Sequence, residues 1–150
     1  MRYVVTSTLL YSRLQSIEKV ILPKNAIAIL SCFLFDIKGN TMTITATDKD
    51  TTLKTSLELQ ESNGDCRFAI ESKQIMNILK ELPEQPLTLD INSSSLQIDL
   101  TYQNGHFTFQ GQPGEDYPEP VPFEGEAATI CLDTALLVRG ISTAIVAAAT

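Results

Sequence analysis

The chain has 150 residues, of which 43% are hydrophobic, so it can bury a core and is too apolar to be a disordered or collagen-like chain. A net charge of −7, taken as a total, argues against a polyanionic partner such as nucleic acid. Three scattered cysteines and the absence of a bilayer-length apolar run favour a cytoplasmic protein without a disulfide framework, a metal site or a membrane anchor.

The first predicted elements recur twice along the chain. Their apolar positions are Tyr3, Val5, Leu10, Leu14 and Ile17. The equivalent positions are Phe68, Ile70, Ile75, Leu79 and Leu82 in the second copy, and Ile130, Leu132, Leu137, Ile141 and Ala144 in the third. A spacing of two followed by spacings of three to five predicts a short strand and then a helix in each copy. Thr6 or Ser7, Ser72 and Asp133 are the predicted N-caps.

Alternating apolar residues follow each of the first two predicted helices. The alternation predicts strands at 41–47, 52–59, 87–91 and 96–100. Turn signals such as Asn63-Gly64 and Asn104-Gly105 make these strands antiparallel hairpins. Two β-α-β-β-β units, residues 3–60 and 67–111, therefore form one α+β domain, with both helices on one side and an antiparallel sheet on the other.

A different composition separates the second and third copies. Residues 112–127 contain four of the seven prolines and five acidic side chains without hydrophobic periodicity, which predicts a linker. The third copy, 128–150, has no following strands to cover its apolar face. We therefore expect either that the natural protein continues or that this segment packs on a neighbour.

Four segments carry a family resemblance: "LQSIEKVI", "AIAILSCFLFDIKGNTMTITATDKDTT", "FAIESKQIMNILKELPEQPLTLDI" and "YQNGHFTFQGQPGEDYP". With these segments the chain resembles the N-terminal portion of the bacterial DNA sliding clamp, the beta processivity subunit of DNA polymerase III. The most specific parts are the run from Ile29 to Asp48 and the Asp116-Tyr117-Pro118 domain end.

The resemblance implies a chain of three such domains that pairs head to tail into a homodimeric ring. The ring would encircle duplex DNA, be placed there by a clamp loader, and tether the replicative DNA polymerase. Residues 1–118 would be the first clamp domain, with halves 1–62 and 65–111, and residues 128–150 the start of the second. The family is not catalytic, so no catalytic, cofactor-binding or metal residue is assigned.

Basic side chains cluster on the predicted helices although the chain is acidic. On the first helix Lys19 projects opposite the apolar stripe and Arg13 lies at its edge, while Lys73 and Lys80 share a face of the second helix. The resemblance places Lys24, Lys73 and Lys80 at DNA-facing positions. The alternative is that all five are ordinary solvated surface residues.

The segment "HFTFQ" places Phe107 and Phe109 on one side of the last predicted strand. An apolar edge strand favours pairing with another chain. The resemblance puts this strand, with Ile78 of the second helix, at the contact between subunits. The alternative is that both phenylalanines belong to the core.

Two other functions remain open from the residues. Asp48 and Asp50 in "TATDKDTTL" fit the D-x-D-x-T signature of haloacid-dehalogenase-type phosphatases, but the flanking alternation predicts a hairpin turn instead of a buried parallel strand. His106 is the only histidine and has no catalytic partners near it in the sequence. A non-catalytic β-rich interaction module would share the fold without enclosing DNA.

Overall fold

The computed structural model describes residues 1–22, 27–119, 125 and 128–148. The chain divides into two compact units, Met1–Pro120 and Val121–Thr150. The strands of the first unit are β1 (Arg2–Thr6), β2 (Cys32–Lys38), β3 (Thr41–Thr47), β4 (Thr52–Glu58), β5 (Glu61–Ser62), β6 (Cys66–Glu71), β7 (Pro86–Ile91), β8 (Gln97–Tyr102), β9 (Gly105–Gln110) and β10 (Gln112–Pro113). Its helices are α1 (Ser7–Ile17) and α2 (Ser72–Glu81), and the second unit contains α3 (Thr134–Ala144). Single 3-10 turns lie at Glu18–Val20, Ala28–Ser31, Gly114–Asp116 and Ile145–Ala147.

The strands form two antiparallel sheets in which the repeats exchange their first strands. One sheet has the order β5-β1-β7-β8-β9 and the other β10-β6-β2-β3-β4. Val5 of β1 pairs with Leu87 in the second repeat, whereas Ile70 of β6 pairs with Phe33 in the first. The α+β class is confirmed. The sequence did not predict the exchange, which makes each half incomplete without the other.

One hydrophobic core contains apolar side chains from both repeats. Leu10 and Leu14 of α1 and Ile75 and Leu79 of α2 are buried, so the predicted helical stripes are confirmed in these two copies. The rings of Phe35 and Phe68, which face each other across β2 and β6, stack with centroids 5.2 Å apart. The two helices pack against each other, and α1 also packs against β3 and β4.

Helix α1 ends before Lys19, which was predicted to lie on it. Its last α-helical residue is Ile17, and Lys19 lies in the 3-10 turn that follows. A projection at 100° per residue therefore does not apply to Lys19, because a 3-10 turn advances about 120° per residue. Val20, in the same turn, is buried and draws the chain towards the core.

Thr6 is the N-cap residue of α1, one of the two predicted positions, but the predicted Ser72 cap of α2 is wrong and neither helix has the expected capping hydrogen bond. Neither Thr6 nor Glu71, the observed N-cap residues, makes a side-chain capping bond, and Ser72 is already inside α2. Ser7 instead binds the segment after α2: its Oγ donates to the Pro83 carbonyl at 2.8 Å and accepts from the Gln85 N–H at 3.0 Å. The Asp133 cap of α3 is confirmed, since its carboxylate accepts from the Leu136 N–H at 3.1 Å.

In the third copy the helix forms and the predicted strand does not. Residues 128–133 have no strand partner, and Ile130 and Leu132 are 77% and 58% exposed. In the first two copies the corresponding strands pair on both sides, β1 with β5 and β7, and β6 with β2 and β10. A segment without such neighbours has no partner for its backbone groups except water, so it does not form a strand.

Tyr117 anchors the end of the first unit to the second sheet. The side chain is 2% exposed and packs with Ile29, Cys32, Leu34 and Ala69 on the face turned away from the main core. Its hydroxyl donates to the Cys32 carbonyl at 3.1 Å and accepts from the Thr47 N–H at 3.2 Å. Burial raises the pKa of this phenol to about 12.

The Tyr117→Phe substitution should lower the free energy of unfolding by about 1–3 kcal/mol, because it leaves the buried Thr47 N–H without its acceptor. Denaturant titration at neutral pH measures the change. Tyr11→Phe is the matched control, since the Tyr11 hydroxyl has no hydrogen bond to the described residues, and we expect a change below about 0.5 kcal/mol. Equal effects of the two substitutions would contradict the anchoring role.

The stability of the fold should fall as the pH rises from about 10 to about 12. Burial raises the pKa of Tyr3 and of Tyr117 from 10.0 to about 12, so the unfolded chain releases these protons at a lower pH than the folded chain. Ionisation then favours the unfolded state. Denaturant midpoints across this range measure the loss, and Tyr117→Phe should reduce it; an identical loss in the variant would contradict the assignment to Tyr117.

Candidate functional site

Helices α1 and α2 lie side by side and run in opposite directions. The start of α1 meets the end of α2 through Ser7, which bonds to Pro83 and Gln85. At the other end, Glu18 and Lys73 line one hollow, which brings the end of α1 to the start of α2. The two helices together therefore offer one continuous outer surface, opposite the side chains that they bury.

Four of the five predicted basic residues can be placed on or beside this surface. Arg13 is on α1, Lys19 follows it, and Lys73 and Lys80 lie in the first and last turns of α2; all four are exposed. Within the described residues none of them makes an ion pair, so their charges are available to an external anion. Lys24 lies outside the described residues.

The position of Lys73 is unfavourable for the helix itself. The first turn of a helix carries partial positive charge, and a cation there costs about 0.3–1 kcal/mol at an exposed position. Glu71, the N-cap residue, makes no side-chain capping bond to this end. The stability of α2 therefore does not account for a lysine at this position, whereas Lys80 in the last turn is favourably placed.

A groove lies between α2 and β9, with a volume of about 500 Å³. We refer to it as the α2–β9 groove. Its apolar walls include Ile78, Leu82, Tyr102 and Phe107, and the complete lining is Asn77, Ile78, Glu81, Leu82, Pro83, Gln85, Tyr102, Asn104 and Phe107. The rings of Tyr102 and Phe107 stack with centroids 5.7 Å apart. Phe107 remains 39% exposed, so this wall presents aromatic surface to solvent.

The two phenylalanines predicted for an interface have different environments. Phe109 is 3% exposed and belongs to the main core, as the core alternative requires. Phe107 is two residues nearer the β8–β9 turn, where the sheet ends and the core no longer covers it. Ile78 is partly buried and lines the groove beside it. The structure therefore brings Ile78 and Phe107 together and leaves Phe109 in the core.

Strand β9 is at the edge of its sheet. It pairs with β8 from Gly105 to Gln110, and no described strand pairs with its other side. Half of its backbone donors and acceptors therefore point away from the sheet, next to the α2–β9 groove. The Tyr102 ring lies over Gly105: a Cβ there would lie 2.8 Å from the Tyr102 hydroxyl oxygen, so a larger residue would require this side chain to shift.

Sequence reasoning missed Gln85 and Tyr102. Gln85 is 8% exposed, its main chain bonds to Ser7, and its Oε1 accepts from the Gln103 N–H at 2.9 Å. Tyr102 precedes the β8–β9 turn and extends the apolar surface of Phe107. The available signal for Gln85 was its position between the helix-ending Pro83 and Pro86, and the signal for Tyr102 was the Asn104-Gly105 turn that follows it.

Asp48 has the role of a turn residue. Its Oδ1 accepts from the N–H groups of Asp50 and Thr51 at 3.0 and 2.7 Å, within the hairpin that joins β3 and β4. Lys49 between them adopts a φ of 85°, which the hairpin requires. The strand before Asp48 is antiparallel and is not followed by a helix, so the geometry of a phosphatase nucleophile is not present at this aspartate.

The described part of the chain holds no cluster of three or more His, Cys, Asp or Glu side chains that could bind a metal ion. His106 is exposed on β9. Across the same residues, no helix is both long and apolar enough to cross a membrane. What this unit offers chemically is a cationic helical surface and an apolar groove beside an open strand edge.

The chain is similar to known proteins over most of its length. The family model described as DNA polymerase III beta subunit, N-terminal domain, matches residues 1–121. The Beta sliding clamp of Pseudomonas putida is 25% identical over 118 residues, which are 79% of this chain and 32% of that protein. The Pseudomonas aeruginosa Beta sliding clamp is 23% identical over the same length. The chain thus spans about a third of the length of these curated relatives.

Two solved structures have a similar fold. Caulobacter crescentus pol III beta superposes with a TM-score of 0.85 at 21% identity, over 95% of this chain and 38% of that one. The DNA polymerase III beta subunit of Thermotoga maritima superposes with a TM-score of 0.77 at 27% identity, over 91% of this chain and 36% of that one. Since the family model covers most of the 150 residues, the chain belongs to the family of the DNA polymerase III beta subunit N-terminal domain.

Proposed function

We propose that this chain supplies the N-terminal domain of a DNA sliding clamp, a non-catalytic ring that encloses duplex DNA and tethers the replicative polymerase. The observation that carries the proposal is the match of residues 1–121 to the beta subunit N-terminal domain. The fold likeness to two beta subunits and the absence of a phosphatase geometry at Asp48 support it. The protein would act in the cytoplasm, where a clamp loader places it on DNA.

The helical surface would face the DNA. A sliding ring needs attraction to phosphates without contacts to bases, because phosphate contacts carry no sequence information. Arg13, Lys19, Lys73 and Lys80 provide cations on or beside α1 and α2 that form no ion pair with the described residues, and we include Lys24 in the same role. The overall charge of −7 does not oppose this arrangement, since only the inner surface of a ring meets the duplex.

The α2–β9 groove would contact the other subunit of a head-to-tail homodimer. Ile78 and Phe107 supply an exposed apolar surface, and β9 supplies an open strand edge. Apolar surface of this kind beside an unpaired strand favours association with another chain. Phe109 would contribute indirectly, because it holds β9 against the core.

The domain assignment is part of the proposal. Residues 1–118 would form the first clamp domain and residues 128–150 would begin the second. The predicted linker 112–127 starts too early, because β10 pairs with β6 and Tyr117 is buried in the first unit, so the residues after Tyr117 would join the two domains. The exposed apolar side chains of α3, such as Leu137 and Ile141, are equivalent to buried residues of α1 and α2. That equivalence supports a second domain in which they would be covered.

In this mechanism the ring stays on the DNA because it encloses the duplex, and tight binding to the DNA is not needed. A polymerase bound to a ring around the duplex remains at high effective concentration near the primer end after each local dissociation. The first unit of this chain would contribute one sector of the ring and one of its contacts. It makes and breaks no bond.

The ring hypothesis predicts retention that depends on DNA topology. The full-length gene product, loaded with its clamp loader on nicked circular DNA, should stay bound in salt high enough to suppress phosphate contacts and should be lost when the circle is linearised. Residues 1–150 alone should be retained on neither form. Equal retention on both forms would indicate ordinary binding, and retention on neither would favour the plain interaction module.

The helical surface predicts a charge-dependent contribution to DNA binding. Replacing Lys73 and Lys80 by glutamate in the full-length gene product should weaken binding to linear duplex and lower the slope of log K against log salt by up to about 1.8, at about 0.9 per phosphate contact. Filter binding across a salt series measures both effects.

The matched control replaces Lys38 and Lys54 by glutamate. These lysines are also exposed, and they line a hollow with Thr43 and Thr45 on the sheet face turned away from the main core. This control changes the net charge by the same amount as the replacement of Lys73 and Lys80. If both pairs altered the salt slope equally, the lysines would act only through total charge and the proposed DNA-facing surface would be wrong.

A further inference from the structure

We propose that the hollow beside Lys54 and Arg67, on the outer face of the sheet β10-β6-β2-β3-β4, docks an acidic segment of another protein. One carboxylate of that segment would take the place of Glu119 on the Arg67 guanidinium, and another would pair with Lys54. The outer face is the one turned away from the main core. The inference does not depend on the proposed DNA-facing helices or on the α2–β9 groove, because the hollow is formed by other residues.

The hollow has a volume of about 290 Å³ and lies across strands β6, β2, β3 and β4. We refer to it as the outer-face hollow. The strand register brings its side chains together, since directly paired residues point to the same face of a sheet. Asp36 pairs with Arg67 on one side and with Thr43 on the other, and Lys54 pairs with Thr45. The complete lining is Leu34, Asp36, Lys38, Thr43, Thr45, Lys54, Arg67 and Glu119.

The outer-face hollow is cationic although the chain as a whole is acidic. Its charged side chains are three basic and two acidic ones, Lys38, Lys54 and Arg67 against Asp36 and Glu119. Lys38 pairs with Asp36 at 3.7 Å, and Arg67 pairs with Glu119 at 3.2 Å. Lys54 is exposed and forms no ion pair with the described residues. One positive charge is therefore in excess, and displacement of Glu119 would expose a second.

The guanidinium of Arg67 uses only part of its donor capacity. Its Nη2 donates to Glu119 Oε1 at 3.2 Å, whereas its Nε is buried and has no hydrogen-bond partner among the described residues. Arg2 shows the complete arrangement, with Nε and Nη2 donating to the two carboxylate oxygens of Asp90 at 2.9 and 3.1 Å. A buried donor without an acceptor costs free energy. A carboxylate that faced the Nε–Nη2 edge of Arg67 would satisfy both donors.

Glu119 occupies this place weakly, while Arg67 is held firmly. The Glu119 side chain is 75% exposed, and exposed ion pairs contribute little to stability. Gly114 packs on the stem and backbone of Arg67, since a Cβ on Gly114 would lie 2.5 Å from Arg67 Cγ and 2.9 Å from its carbonyl carbon. A competing carboxylate would therefore displace a mobile group and meet a guanidinium that is already in position.

An acidic protein segment is the occupant to which we commit, because Glu119 already shows that the hollow accepts a carboxylate from an exposed part of a chain. Strands β6 and β4 are three strand spacings apart, about 14 Å, so the segment needs separate acidic residues for Arg67 and Lys54. A long polyanion such as duplex DNA is disfavoured. It would also meet the exposed Glu58, which shares the outer face with Lys54 because alternate residues of a strand point the same way.

The test measures the binding of a short fluorescein-labelled peptide of alternating glutamate and serine to the full-length gene product, by fluorescence anisotropy at low ionic strength. The matched peptide has glutamine in place of glutamate. We expect the acidic peptide to have a dissociation constant at least about tenfold lower than the matched peptide, and added salt to reduce the difference. Equal binding of the two peptides, or binding of neither, would overturn the proposal.

Two substitutions locate the acidic peptide. Arg67→Lys keeps the charge but removes the paired donors, so it should raise the dissociation constant about tenfold. Lys54→Gln should raise it about threefold, as expected for one exposed ion pair. The matched controls make the same changes elsewhere: Arg2→Lys on β1 and Lys73→Gln on α2 should leave binding unchanged.

Thermal unfolding curves check that each variant is folded. Unchanged binding in a folded Arg67→Lys variant would overturn the role of the guanidinium. If Lys73→Gln weakened binding more than Lys54→Gln, the peptide would occupy the helical surface, and the assignment to the outer-face hollow would be wrong.

Glu119→Gln tests the displacement step. The peptide would no longer have to displace an anion from Arg67, so its dissociation constant should fall about threefold. Glu115→Gln is the matched control, because Glu115 is exposed and does not line the hollow. If the two substitutions had equal effects, or if Glu119→Gln did not strengthen binding, Glu119 would not be the group that the partner displaces.

Discussion

Each repeat gives its first strand to the sheet of the other repeat, with β1 beside β7 and β6 beside β2. Every other feature of the first unit depends on this exchange. It closes one core around side chains from both halves, and it sets α1 and α2 next to each other in opposite directions. Ser7 reinforces the arrangement at the start of α1, because its backbone and hydroxyl bond to residues that follow α2.

The segments that reinforce the core also reach the surface at which function is proposed. Gln85 bonds to Ser7 through its main chain, supports the β8–β9 turn through Oε1, and lines the α2–β9 groove. Phe109 holds β9 in the core, while Phe107, two residues away, remains exposed. The groove is thus built on rigid elements, and binding there would require little ordering of the protein.

The two repeats share their buried residues and differ at their surfaces. When Leu14 is aligned with Leu79, Arg13 corresponds to Ile78 and Ser16 to Glu81. The α2–β9 edge is therefore apolar with one acidic group, whereas the equivalent positions of α1 carry a cation and a hydroxyl. Two edges of different chemistry on one unit are what a head-to-tail assembly needs, because such a contact joins unlike surfaces.

The sequence by itself determined the repeated strand-helix pattern, the hairpins and the α+β class, because these depend on local periodicity and turn residues. It also identified Lys73, Lys80, Ile78 and Phe107 as candidates. Only the tertiary structure decided that the repeats exchange strands, that Phe109 is core, and that Gln85 and Tyr102 join the groove. The end of α1 at Ile17 and the missing strand before α3 were likewise decided by packing. The reason is physical: periodicity tells which side of an element is apolar, but the neighbour that covers it comes from distant parts of the chain.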